Sequence, residues 1–153
     1  MEKRKKLSEM EPGEKVTTSS ALITGFEIDM FMGTGVHSGV ARMFLDDNYA
    51  KSVGWKSRIA PGLLVFGRAF GLIEAFGLLD DAIAWMGVDD LKFGNATYPF
   101  DEITVEVELV SKRPTKTGNR GIVVYRWVAK NQHDEVVCSG TNTCMVWPWA
   151  KES

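Results

Sequence analysis

A run of apolar residues from Ile59 to Gly77, Ile-Ala-Pro-Gly-Leu-Leu-Val-Phe-Gly-Arg-Ala-Phe-Gly-Leu-Ile-Glu-Ala-Phe-Gly, constrains the chain more than any other stretch. Pro61 has a fixed φ and no N–H to satisfy, which suits a first helical turn, and Gly62 lets another group approach the backbone closely. Between Leu63 and Phe76 only Arg68 and Glu74 ionise. The helix this predicts is apolar around nearly its whole circumference, so other structure must enclose it. A membrane span takes about 20 apolar residues; this run is shorter, contains charges and glycines, and follows Lys56 and Arg58.

The wrapper has to come from the rest of a 153-residue chain, a length that suits one domain, expected over 12–150. A net charge of −2 with both signs interspersed provides no basic field, which argues against a nucleic acid partner. Cys138 and Cys144 lie an even number of residues apart on what reads as one strand, too far apart to bridge. Both are expected as reduced thiols of a cytoplasmic protein. No CxxC motif or Cys/His cluster suggests a metal, and no cofactor is expected. Lys3 to Lys6 are all basic, but no apolar run follows, so Met1–Glu11 is expected as a flexible, solvated tail rather than a signal peptide.

Pro12-Gly13 marks a turn, and Lys15 to Leu22 is Thr-, Ser- and Val-rich enough for a first strand. Thr24 with Glu27 three residues on has capping-box spacing and opens a short helix that stops at Gly33. Gly33 to Gly39 is a glycine-rich loop holding His37 and Ser38, suited either to cradling a ligand or to a tight connection. Met43 to Ala50 gives a short helical segment containing Asp46 and Asp47. After the central helix, Ala82–Phe93 reads as a strand, and Tyr98-Pro99-Phe100-Asp101 as a turn. Ile103, Val105, Val107 and Leu109 alternate with polar residues, the pattern of a strand with one wet face. Gly121–Lys130 and Glu135–Trp147 complete an antiparallel set. The result is an α+β domain whose curved antiparallel sheet wraps one central helix. A strand carrying Trp85 and Met86 at the edge of such a sheet invites pairing with a second copy, so a dimer is expected.

Trp55-Lys56-Ser57-Arg58-Ile59-Ala60-Pro61-Gly62-Leu63-Leu64 resembles the segment that opens the central helix of MaoC-like (R)-specific enoyl-thioester hydratases, which have the hot-dog fold. Leu45 to Ala50 is similar to that family's preceding short helix, and the strands and turns from Phe100 to Val137 follow its order and spacing. The resemblance covers roughly Pro12 to Trp147. It implies hydratase or dehydratase chemistry of the hydro-lyase type, on an acyl thioester of coenzyme A or of acyl carrier protein, in fatty acid metabolism. It further implies a homodimer or a pair with a second hot-dog subunit, and no membrane.

That family places an Asp, then Asn-Pro, then a His in the loop before the short helix, and the pair moves protons as water adds to the double bond. Counted back from Tyr49-Ala50, those positions fall on Gly39 and Phe44, so the Asp/His motif is not retained; counted forward from Phe31, the Asp falls near Val36 or His37. Other hot-dog dehydratases carry a carboxylate on the central helix, at a position occupied here by Gly67. The resemblance does preserve the backbone N–H at Gly62, which polarises the thioester carbonyl at a helix amino end. The candidate residues are therefore His37 and Asp47 as catalytic pair, with Asp29 and Asp46 as alternative partners. Gly62 and Leu63 are the oxyanion donors, and Ser38, Gly39, Trp55 and Pro61 line the pocket. The alternative is a catalytically inactive acyl-thioester-binding or scaffolding subunit, as in heteromeric dehydratases of the family that pair a degenerate subunit with an active one. His133, in a polar turn, is expected at the surface.

Overall fold

The computed structural model describes residues 4–33 and 42–149. Two short strands, β1 (Lys15–Thr17) and β2 (Ala21–Leu22), precede helices α1 (Gly25–Met32), α2 (Arg42–Leu45), α3 (Asp47–Ser52) and α4 (Gly62–Ala75). Four long strands follow: β3 (Ala82–Phe93), β4 (Glu102–Pro114), β5 (Gly121–Lys130) and β6 (Val136–Val146). The strands form one antiparallel sheet in the order β1-β4-β5-β6-β3, with β2 also on β4.

Alternation in β4 puts Ile103, Val105, Val107 and Leu109 fully inside, where they meet Val65, Ala69, Leu72 and Ile73 of α4. The period of two persists until a bulge between Leu109 and Ser111. From β5, Trp127 stacks on Phe66 of α4 with ring centroids 5.4 Å apart. Polar groups on the inner face are paired with one another: the Trp127 indole N–H donates to Asn142 Oδ1 at 2.9 Å, and Asn142 Nδ2 donates to the Tyr125 hydroxyl at 3.0 Å. Cys138 and Cys144 are free and buried on this same face, as their even spacing requires.

Several expectations need correction. The segment up to Glu11 is not a solvated tail over its second half. Leu7–Glu9 forms one 3-10 turn, Leu7 and Met10 are wholly buried, the Leu7 N–H donates to Leu78 O, and Ser8 Oγ donates to Asp81. The expected first strand is split because the Thr18 hydroxyl, rather than a carbonyl, takes the Val105 N–H, which interrupts the ladder. The helical segment around Met43–Ala50 is two helices, because the Asp46 carboxylate accepts from the N–H groups of Asn48 and Tyr49 and starts α3 afresh. Thr24 and Glu27 do form the capping box of α1.

The central helix is not fully enclosed. The sheet ends at β3, and the face of α4 beyond it stays open, with Leu63 61% exposed and Gly67 bare. Ile83, Trp85 and Met86 of β3 are also about half exposed, and Trp85 leans on Phe66 and Phe70, so strand edge and helix face make one apolar surface. Arg68, on the flank of α4, pairs with Glu27 of α1 at 3.4 Å.

Two measurements test this account. Leu7→Ala removes a buried side chain and should cost about 2–5 kcal/mol in denaturant unfolding, where a solvated tail would cost almost nothing. Burial pushes the Cys138 thiol up to about 11, so the folded chain keeps a proton that the unfolded chain has already released. Unfolding free energy should therefore be level below the ordinary thiol pKa and fall as pH rises from there through about 11, and Cys138→Ala should reduce that fall.

Candidate functional site

The head of α4 is built by the segment before it. Trp55 N–H donates to Ala50 O at 3.0 Å, Ile59 N–H to Met43 O at 3.1 Å and Ala60 N–H to Thr97 O at 2.7 Å, so residues 55–60 are tied to α3, α2 and the stretch after β3. Pro61 is extended (φ −57°, ψ 137°) and caps the helix without a side-chain acceptor. Leu64 and Val65 N–H donate back to Pro61 O at 3.0 and 3.2 Å. Among the described residues, nothing accepts from the N–H of Gly62 or Leu63. Two donors at the positive end of a fourteen-residue helix thus have no acceptor among the described residues.

Both residues line a pocket of about 340 Å³ together with Met43, Phe44, Trp55, Ile59, Phe93, Thr97 and Val137. The walls are mostly apolar, with Asn95 and Thr97 as polar members, and no described lining residue ionises. Such a site suits a ligand with a long apolar part and one oxygen to be polarised.

Of the residues named from the sequence, Gly62, Leu63 and Trp55 come together here, with Pro61 buried immediately behind them. His37, Ser38 and Gly39 lie outside the described residues. Asp47 is not at this pocket. It lines a separate concavity of about 740 Å³ with Thr24, Phe26, Asp29, Arg58 and Phe100, and its Oδ1 accepts from the Arg58 N–H at 2.9 Å. Asp29 in turn holds the Arg58 guanidinium at 2.6 Å, and Asp46 is occupied as the α3 cap. His133 is exposed in its turn, as expected.

Sequence reasoning missed Phe93 and Thr97. The Thr97 carbonyl anchors Ala60, a role that leaves no side-chain signature. Phe93 read only as the end of a strand, and its contact with Gly62 crosses thirty-one residues of sequence. Phe44 was legible as a position but not as a wall: the resemblance puts the family's His there, and the structure puts a benzyl ring against the pocket.

A curved antiparallel sheet around one helix, with open donors at that helix's amino end, defines a hot-dog domain. Comparison with known proteins agrees. The chain is 30% identical over 121 residues to beta-methylmalyl-CoA dehydratase of Chloroflexus aurantiacus, a match covering 78% of the chain but 34% of that protein. Among solved structures, the MaoC-like dehydratase from Rhodospirillum rubrum superposes with a TM-score of 0.80 at 24% identity, over 95% of this chain and 98% of that one. A MaoC domain protein dehydratase from Chloroflexus aurantiacus gives 0.85 at 24%, over 96% of this chain and 41% of its own. A Mycobacterium tuberculosis protein described as a double hot-dog fold gives 0.77 at 17%, over 97% and 45%. No family model matches the chain. The fold is the hot-dog fold, and its structural neighbours are MaoC-like dehydratases and (R)-hydratases. The chain spans about a third of the curated relative.

Because Asp47 is engaged by the Arg58 backbone, Asp47→Asn, which keeps an acceptor there, should leave the melting temperature within a few degrees and any turnover within about threefold. A proton-transfer role would predict a loss of about 100-fold or more.

Proposed function

We propose that this chain binds an acyl thioester with its carbonyl oxygen on the Gly62 and Leu63 N–H groups and adds water to, or removes it from, the enoyl or 3-hydroxyacyl group in the manner of MaoC-type hydratases. The observation that carries this reading is the pair of donors at the head of α4 that have no acceptor among the described residues and lie beside a mostly apolar pocket. In hydration, water oxygen bonds to the β-carbon, a proton reaches the α-carbon, and negative charge gathers on the carbonyl oxygen. Donors already aimed at that oxygen are worth more there than in water. His37 is the base that takes the water's proton and, as its conjugate acid, gives a proton to the α-carbon. Asp47, tied to the Arg58 N–H, serves by ordering the segment that delivers Gly62.

The thioester is carried by coenzyme A or acyl carrier protein, in the cytoplasm, within fatty acid metabolism. The likeness to chains about twice as long, one of them a double hot-dog, supports a two-domain assembly in which a second copy or a second hot-dog subunit covers the β3 edge and the open face of α4.

A second reading is favoured by Phe44. With a phenyl ring at the position the resemblance assigns to a proton carrier, and no ionising group among the described lining residues, the chain also suits a non-catalytic thioester-binding subunit of a mixed assembly. Hydration of crotonyl-CoA, followed by loss of enoyl absorbance, separates the two. The first reading expects turnover by the pure protein and a drop of about 10²–10⁴ in His37→Ala. Turnover that survives the substitution removes His37 from the mechanism. Binding without turnover by the pure protein selects the subunit reading.

A further inference from the structure

The pocket at the head of α4 has an outer and an inner side. Leu63 is 61%, Phe93 49% and Trp55 38% exposed, whereas Val65, Thr97 and Val137 are each 3% exposed, so the first three stand at the mouth and the last three at the closed side. Thr97 is the polar member of that closed side; Asn95 is exposed, and its amide donates to Val136 O at 3.3 Å. Among the described residues, nothing hydrogen-bonds the Thr97 hydroxyl. Yet the hydroxyl is not sealed in. The buried side-chain polar atoms that lack both a partner and contact with solvent are, among the described residues, Arg68 Nε and Asp81 Oδ1. The Thr97 hydroxyl therefore keeps a contact with solvent, and the opening that Thr97 lines is this pocket. Its place is fixed on both sides: Thr97 O accepts from the Ala60 N–H at 2.7 Å, the Tyr98 N–H donates to Asp101 Oδ2 at 2.8 Å, and a β-branched side chain has few rotamers. Buried hydroxyls are almost always hydrogen-bonded, so one left open in a mostly apolar pocket calls for a polar atom of a ligand or of water.

From this arrangement we infer that Thr97 is a catalytic residue of the proposed reaction: its hydroxyl holds the oxygen that water adds to the β-carbon and that departs as water in the reverse direction. The inference rests on the thioester reading above, since it takes the acyl group to enter this pocket. With no ionising group among the described lining residues, a charged acceptor would be poorly compensated there, which favours an uncharged oxygen. A hydroxyl both donates and accepts, as water and an alcohol do, so one side chain suits the water before addition and the 3-hydroxyl after it. Thr97 exchanges no proton. Its oxygen accepts one hydrogen of the water, the other leaves as the proton that the base takes, and a lone pair of the water oxygen forms the bond to the β-carbon. The electron pair of the double bond moves to the α-carbon, where a proton arrives. In dehydration the Thr97 O–H donates to the departing oxygen.

The test compares the wild type with Thr97→Val, which keeps the shape of the side chain and the carbonyl that anchors Ala60, and with Thr97→Ser, which keeps the hydroxyl. It measures equilibrium binding of butyryl-CoA and (3R)-3-hydroxybutyryl-CoA, hydration of crotonyl-CoA, and thermal melting. The wild type should bind the 3-hydroxy thioester more tightly by about 3- to 10-fold, the worth of one neutral hydrogen bond, and Thr97→Val should bring that ratio to within about twofold. In hydration, Thr97→Val should lower kcat by about 10-fold or more and leave KM for crotonyl-CoA within about twofold, because crotonyl-CoA carries no oxygen at the β-carbon. Thr97→Ser should restore both, and the melting temperature of Thr97→Val should hold or rise, since no bond within the fold is lost. Thr97→Ala takes the place of the Val variant if that does not fold, and where the pure protein shows no turnover the binding ratio alone decides. A wild type that binds both thioesters equally, or a ratio or kcat unchanged in Thr97→Val, overturns the role of Thr97 and leaves the thioester reading standing. Wild-type protein that binds neither thioester overturns the reading and this inference together.

Discussion

Burial of α4 is what the remaining elements serve. A helix with so few polar side chains is stable in water only where strands supply apolar partners along its length, and β4, β5 and β6 do so through alternate residues on one face. The three strands must curve to reach around a cylinder, and register shifts with an extra residue in β4, β6 and the neighbouring β3 fall along that path. The same burial fixes the amino end of the helix. With Val65 and Ala69 locked inside, Gly62 and Leu63 are held at the head of the helix, where their N–H groups meet no carbonyl among the described residues. Donors left without a described acceptor are thus a by-product of packing.

The segment before the helix shows how the surroundings preserve this geometry. Arg58 is held by Asp29 and Asp47, Ala60 by Thr97, and Ile59 by Met43. Acidic residues that look available for chemistry in the sequence each hold part of this geometry: Asp46 starts a helix, Asp47 holds a backbone N–H and Asp29 pairs with a guanidinium. Burial of a charged pair would demand strong compensation, and these carboxylates stay near the surface where the demand is small.

What the sequence made legible was local or periodic. The Thr24–Glu27 box, the alternation from Ile103 to Leu109 and the Pro61-Gly62 helix start are each fixed by residues within a few positions of one another, and each appears as expected. Leu7 and Met10 were lost among basic neighbours because two apolar residues three apart do not define a period, and their burial depends on Leu78 and Asp81 far along the chain. The break at Thr18 turns on which of two acceptors takes the Val105 N–H, a competition no propensity encodes. In the site, Gly62, Leu63 and Trp55 could be located because one continuous segment carries them. Phe93 could not, because its ring reaches Gly62 only after β3 has been laid beside β6.

The free margin of β3 has a practical corollary. It presents unpaired main-chain groups beside Ile83, Trp85 and Met86, with no lysine before Lys92 and no proline to discourage a foreign strand. An uncovered margin of that kind accepts strands from other chains, so the isolated protein should self-associate more as its concentration rises.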